Sequence, residues 1–146
     1  MTYETVQQAL LRLESFHLAK LNFNLDDTLW RSSEINDPEY RITFTHVTNE
    51  SADNLFGVMF EVSVKNPENT FILDFEFLGM FETQGFKISK EELDKNPFFR
   101  INAPAIMFPY IRAFVSNFML TSGFKPLILP AINFSQTKKI EDTQEH

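Results

Sequence analysis

Residues 102–134 read NAPAIMFPYIRAFVSNFMLTSGFKPLILPAINF, and this stretch carries the reading of the whole chain. Asn102 has the side chain of a helix N-cap and Gly123 can take the left-handed angle that closes a helix, so the spacing predicts a helix over 102–121. Pro109 falls inside it, where a proline removes one backbone hydrogen bond and kinks the helix or leaves its first turn irregular. Met107, Ile111, Phe114, Val115 and Phe118 form one stripe, yet Ile106, Phe108, Tyr110, Met119 and Leu120 leave only Arg112, Ser116 and Asn117 as clear polar breaks. A helix apolar nearly all round needs burial on two sides, and one sheet face covers only one. An oligomer is therefore expected, with Ile111, Phe114, Val115 and Phe118 at its interface.

Upstream, the period changes from helical to two. Phe71, Leu73, Phe75, Phe77 and Phe81 alternate with Ile72, Asp74, Glu76, Leu78 and Met80, and Phe56, Val58, Phe60, Val62 and Val64 alternate with Gly57, Met59, Glu61, Ser63 and Lys65. Asn66-Pro67-Glu68-Asn69 between them has the length of a hairpin link, so these two strands should be antiparallel. Tyr40, Ile42 and Phe44 mark an earlier strand, and Ala19, Leu21, Phe23 and Leu25, alternating with Lys20, Asn22 and Asn24, mark the first. Asp26 to Pro38 is a polar loop. Val6, Ala9, Leu10 and Leu13 stand at helical spacing, which predicts an N-terminal helical extension over 1–16. Ser89-Lys90-Glu91-Glu92 has capping-box spacing, for a helix kept brief by Pro97. The tail 135–146 has one large apolar residue, Ile140, and is expected to be disordered. Helix, four strands, then helix is the order of an α+β fold: a four-stranded antiparallel sheet with helices packed on one face, in one domain spanning 1–146.

Composition narrows the function. Twenty acidic against 13 basic residues give a formal net charge of -7, which repels phosphate backbones and anionic lipid, so neither nucleic acid nor a membrane surface is an expected partner. No cysteine is present, which excludes a disulfide framework, a thiolate zinc site or a cysteine nucleophile. The N-terminus lacks the pattern of a secretory signal, and no apolar run approaches the roughly 18 residues of a membrane span, so a soluble cytoplasmic protein is expected. The 17 phenylalanines favour packing or apolar recognition over catalysis.

No catalytic constellation emerges. His17, His46 and His146 share no metal-ligand spacing, and the four glycines never cluster into a phosphate-binding loop. Asp74 and Glu76 share a strand face, but alternating acids are the wet side of a sheet. Asp26-Asp27 lacks the further oxygen ligands and glycine turn of a calcium loop. The chain reads as a non-enzyme with neither cofactor nor metal. Phe86, Ile88, Phe98, Phe99 and Ile101 stand out, because they lie in the crossover to the long helix, where polar residues are usual. They read either as core under a long crossover or as an apolar groove for extended or unfolded polypeptide.

Ala103-Pro104, Met107-Phe108-Pro109-Tyr110, Arg112, Gly123-Phe124, Pro126-Leu127, Leu129 and Ile132-Asn133-Phe134 together resemble the SecB family. Phe71-Ile72-Leu73-Asp74, Gly79-Met80-Phe81 and Leu21-Asn22-Phe23 extend the resemblance upstream, so that it covers about residues 18 to 134. It implies a homotetramer, a dimer of dimers, that holds non-native proteins in long apolar grooves without nucleotide or metal. In typical members SecA docks on an acidic patch of the outer sheet surface, and Ile72 and Asp74 match two of its positions. The first-strand acids of that patch correspond here to Lys20 and Asn24, which dilute the attraction for a basic partner. The family's amphipathic C-terminal helix has no counterpart in the polar tail, and its proline before Ile-Asn-Phe is displaced to Pro130. Three functions follow: a holdase for protein export, a holdase dedicated to one client such as the antitoxin of a toxin and antitoxin pair, or a small-ligand or structural oligomer on the same fold.

Overall fold

The computed structural model of the chain describes residues 11–48, 52, 54–84 and 87–135. Four strands, β1 (Leu11–Leu25), β2 (Glu39–Thr48), β3 (Leu55–Lys65) and β4 (Phe71–Thr83), pair antiparallel in the order β1-β4-β3-β2. The two longest alternations, β3 and β4, occupy the centre, and all their inward apolar residues from Phe56 to Val64 and from Phe71 to Phe81 are buried. Fully burying one such side chain stabilises the fold by about 1.5–3 kcal/mol. The hairpin between them is closed by Asn66, which is 5% exposed. Its carboxamide oxygen accepts from the Thr70 and Phe71 amides at 2.9 and 3.0 Å, and Asn69 takes the left-handed angle, φ 57°.

β1 begins earlier than its hydrophobic pattern suggests. The predicted helix over 1–16 is corrected from Leu11 onward, since Leu11–Phe16 is strand; residues 1–10 lie outside the described residues. Pairing with β4 overrides the local helical spacing: Leu11 sits opposite Thr83 and Leu13 opposite Phe81. The alternation was masked by two register shifts, between Leu13 and Ser15 and between Leu18 and Lys20. Each bulge adds one residue and inverts the phase, so the inward set runs Leu11, Leu13, then Phe16, Leu18, then Leu21, Phe23, Leu25.

Two helices cover the inner face. α1 (Lys90–Lys95) starts at Ser89, whose hydroxyl accepts from the Glu92 amide at 3.2 Å, as the capping-box spacing predicts. α2 (Pro97–Thr121) starts five residues before the expected Asn102 cap. Asn96 is the cap, accepting from the Phe98 amide at 3.0 Å, and Pro97 follows it in the first turn. A proline there opens a helix rather than ending one, because its missing N–H would have no partner anyway. The helix runs on through Pro104 and Pro109. Gly123, at φ 95°, closes it: its amide donates to the Leu120 carbonyl at 3.2 Å and that of Phe124 to Met119 at 2.9 Å.

The fully buried line of α2 is Ala103, Met107, Ile111, Val115 and Met119, continued from the nearly buried Phe99. Steps of four in a helix of 3.6 residues per turn drift about 40° each, so this line winds round the axis. That drift is why the helix reads as apolar nearly all round. Beyond Gly123 the chain runs extended and doubles back beside α2. Ser116 Oγ donates to the Leu127 carbonyl at 2.9 Å, Leu129 is buried, and the Phe134 ring lies 5.5 Å from Phe44 and 5.5 Å from Phe108.

The helix sits close to β4 at Gly79, where an added Cβ would come within 2.5 Å of Met107 Sδ. Met107 has no exposed surface into which to retreat. Gly79→Ala should lower unfolding stability in urea by about 1–3 kcal/mol. In a Met107→Ala background the same change should cost much less, since the clash partner is gone.

Candidate functional site

Among the described residues no group of three or more His, Asp or Glu side chains is placed to hold a metal ion. His46 turns its imidazole inward, where a ring N–H donates to the Phe99 carbonyl at 3.2 Å. It ties β2 to the first turn of α2. No described helix is long and apolar enough to cross a membrane.

The crossover residues separate into layers. Phe99 is buried, edge-on to Phe56 at 5.7 Å, as one wall of the core. Phe98 packs edge-on against Phe99 at 5.1 Å and stays half-buried, as do Ile88 and Ile101. Phe86 lies outside the described residues. β2 is an edge strand, and its inward residues Tyr40, Ile42, Phe44 and His46 are only half covered. A continuous row results, from Phe98 through Phe99 and His46 to Phe44 and Phe134. Along it the core reaches the surface beside the open edge of β2. Sequence reasoning missed Ile42, Phe44, His46 and Ile132, because their half-exposure depends on β2 standing at the sheet edge. Strand order is not written in any local pattern.

The outer face has two halves. Register places Lys20 beside Glu76, Asn22 beside Asp74 and Asn24 beside Ile72, so the first-strand residues share a surface with the two carried-over docking positions. Lys20, Ile72, Asp74 and Glu76 line an open depression of about 1120 Å³ in which Lys20, Arg41 and Lys65 face Glu39, Glu61, Asp74 and Glu76. Its charge is mixed rather than acidic.

The helix residues expected at an oligomer interface also divide. Ile111 and Val115 are fully buried against the chain's own sheet. Phe114 packs on Phe75 and Phe77, with centroids 4.8 and 4.9 Å away, and Phe118 packs edge-on to Phe23 at 4.9 Å. The apolar surface left outward on α2 is Ile106, Tyr110 and Leu120, with Tyr110 54% and Leu120 57% exposed. Tyr110 touches Phe16 of β1 at 5.4 Å, and Leu18 and Leu21 extend the exposed surface along that strand.

Comparison with known proteins gives a consistent picture. The family model for preprotein translocase subunit SecB matches residues 4–144. A protein-export protein SecB of Dechloromonas aromatica is 27% identical over 134 residues, covering 90% of this chain and 86% of that protein. One from Chromobacterium violaceum is 28% identical over 137 residues, covering 92% and 89%. Among solved structures, a SecB-like chaperone of Mycobacterium tuberculosis, in complex with a peptide from the HigA1 antitoxin, superposes with a TM-score of 0.64. It is 17% identical and the match covers 85% of this chain and 91% of that one, a likeness of fold.

The layering can be measured. Phe99→Ala should cost about 3–5 kcal/mol in denaturant unfolding, as a large core truncation does. Phe98→Ala, at a half-buried site, should cost about 1 kcal/mol. Equal losses would contradict the division between core and surface.

Proposed function

The chain belongs to the SecB family, and on that premise we propose that it is a holdase chaperone, not an enzyme, binding unfolded or non-native polypeptides without ATP. The observation that supports this reading is the apolar row from Phe98 through Phe99 and His46 to Phe44 and Phe134 beside the edge of β2, in which Phe98 and Phe44 are half-buried. Apolar burial is non-directional, so such a row suits extended chains of unrelated sequence. Phe99 supports it from beneath, where its ring braces Phe98. The proposed setting is the cytoplasm, the proposed clients are precursors awaiting export, and the proposed assembly is a homotetramer, a dimer of dimers. Ile106, Tyr110 and Leu120, with Leu18 and Leu21, supply the exposed apolar surface for self-association.

A second reading keeps the row but gives it one dedicated client, such as an antitoxin. Lys20 and Asn24 favour it, because they share the outer face with Ile72 and Asp74 and make it a poor docking site for a basic partner. Affinity capture of the tagged protein from its own cells separates the two. SecA with many precursors supports export, one small partner supports the dedicated role, and capture of no protein at all would leave only a structural or small-ligand role.

Purified protein should delay the light scattering of an unfolding substrate, and Phe98→Ser with Ile101→Ser should weaken that protection severalfold without changing the assembly's sedimentation. Tyr110→Asp with Leu120→Asp should do the reverse to sedimentation, dissociating the assembly. A wild-type chain sedimenting as a monomer would remove the tetramer from the proposal.

A further inference from the structure

Buried polar atoms without a partner are few in a folded chain, and each needs a physical reason. Among the described residues two buried side-chain nitrogens meet no acceptor, Arg100 Nε and Arg112 Nε. Both belong to α2. Neither side chain stands in an ion pair, since the paired carboxylates among the described residues take Arg12, Lys65, Lys95 and Lys125. A charged donor that is covered and left without an acceptor costs free energy, so both sites favour a partner that brings an oxygen.

Their places on the helix supply the second observation. Arg100 directly follows Phe99, at the end of the apolar row where Phe98 and Phe99 meet edge-on at 5.1 Å. Arg112 stands one turn after Phe108, whose ring lies 5.5 Å from Phe134 at the other end of the row. One turn further on, Ser116 donates to the Leu127 carbonyl at 2.9 Å, so Arg112 lies where the extended segment passes the helix. The two arginines bracket the row. Along a helix their separation is about 18 Å, the length of roughly five or six extended residues at about 3.3 Å each. Both are half-buried, so each keeps some surface open to an incoming chain.

The formal net charge of -7 does not govern this place. Exposed charges further off than a Debye length, about 8 Å at physiological salt, are largely screened, whereas partly buried ones are screened much less. An unpaired guanidinium is therefore felt mainly by what docks beside it.

We infer that the row takes apolar stretches of roughly five residues with an aspartate or glutamate at each end, whose carboxylates are bound by Arg100 and Arg112. The inference rests on the holdase reading and names the class of client segment that the row prefers. Apolar burial grips unrelated sequences, and the two charge-assisted contacts select the frame in which a stretch is held.

The probes are dye-labelled synthetic peptides that share one apolar centre of about five residues and differ only in flanks of aspartate, asparagine or lysine. Fluorescence anisotropy against the whole assembled chain reads their affinities. Aspartate flanks should bind about tenfold more tightly than asparagine flanks, with lysine flanks weakest. Arg100→Gln and Arg112→Gln should each weaken the aspartate peptide severalfold more than the asparagine peptide, and the double variant should show no preference. Equal affinity for aspartate and asparagine flanks, a preference for lysine, or a preference that survives in the double variant would overturn the inference. So would dissociation of a still folded Arg112→Gln assembly in sedimentation, which would assign the missing acceptor to a second copy of the chain. The comparison of flanks uses the unaltered chain and stands even where a variant fails to fold. If no peptide binds and the unaltered chain also fails to delay light scattering, the holdase reading falls and takes the inference with it. If scattering is delayed and the flanks make no difference, the inference alone falls.

Discussion

The close approach of α2 to β4 at Gly79 and Met107 sets the geometry on which the rest depends. From there α2 crosses the sheet, meeting β1 at Phe23, β4 at Phe75 and Phe77, and β3 at Phe60 and Phe56. Phe75, Phe77 and Phe23 meet it through Phe114 and Phe118. The far side of the sheet needs a second cover, and the extended segment after Gly123 supplies it with Leu129 and Phe134. That cover is narrow, so β2 is left half-clothed.

Much of the fold was legible because it rests on period. β3, β4 and their hairpin announce themselves through long unbroken alternation and a turn-rich link. The end of α2 was legible through Gly123, which fills the one position that needs a left-handed angle. The failures share a cause as well. Asn96 and Asn102 are equally good caps by type, and Pro97 is a stop or a start depending on which side of the boundary it falls. Leu11 to Ser15 read as helix because a bulge hides alternation from any fixed period. Within the candidate site, the composition of the crossover was visible while its layering was not. Nothing in the pair Phe98-Phe99 says which ring turns to Phe56 and which faces outward.

The outward surface of α2 bears on assembly. At about 100° per residue Ile106, Tyr110 and Leu120 fall within an arc of about 80°, so the exposed apolar residues of the helix form one stripe. Tyr110 joins that stripe to β1 through Phe16, making helix and edge strand one surface. The row beside β2 lies at the other side of the sheet, so a substitution in one surface leaves the other intact.

The bulges of β1 have a meaning beyond phase. Fifteen residues of edge strand would ordinarily be an inviting template, with a long ladder of free amides and carbonyls on which a foreign strand could lie. Interruptions after Leu13 and Leu18 cut that ladder into short runs, and each adds local twist. A strand laid along it would lose its pairing at every interruption, and a cross-β stack, which needs flat and regular repeats, could not grow from it. For a protein proposed to spend its working life beside sticky, extended chains, the irregular border of β1 is self-protection along that edge.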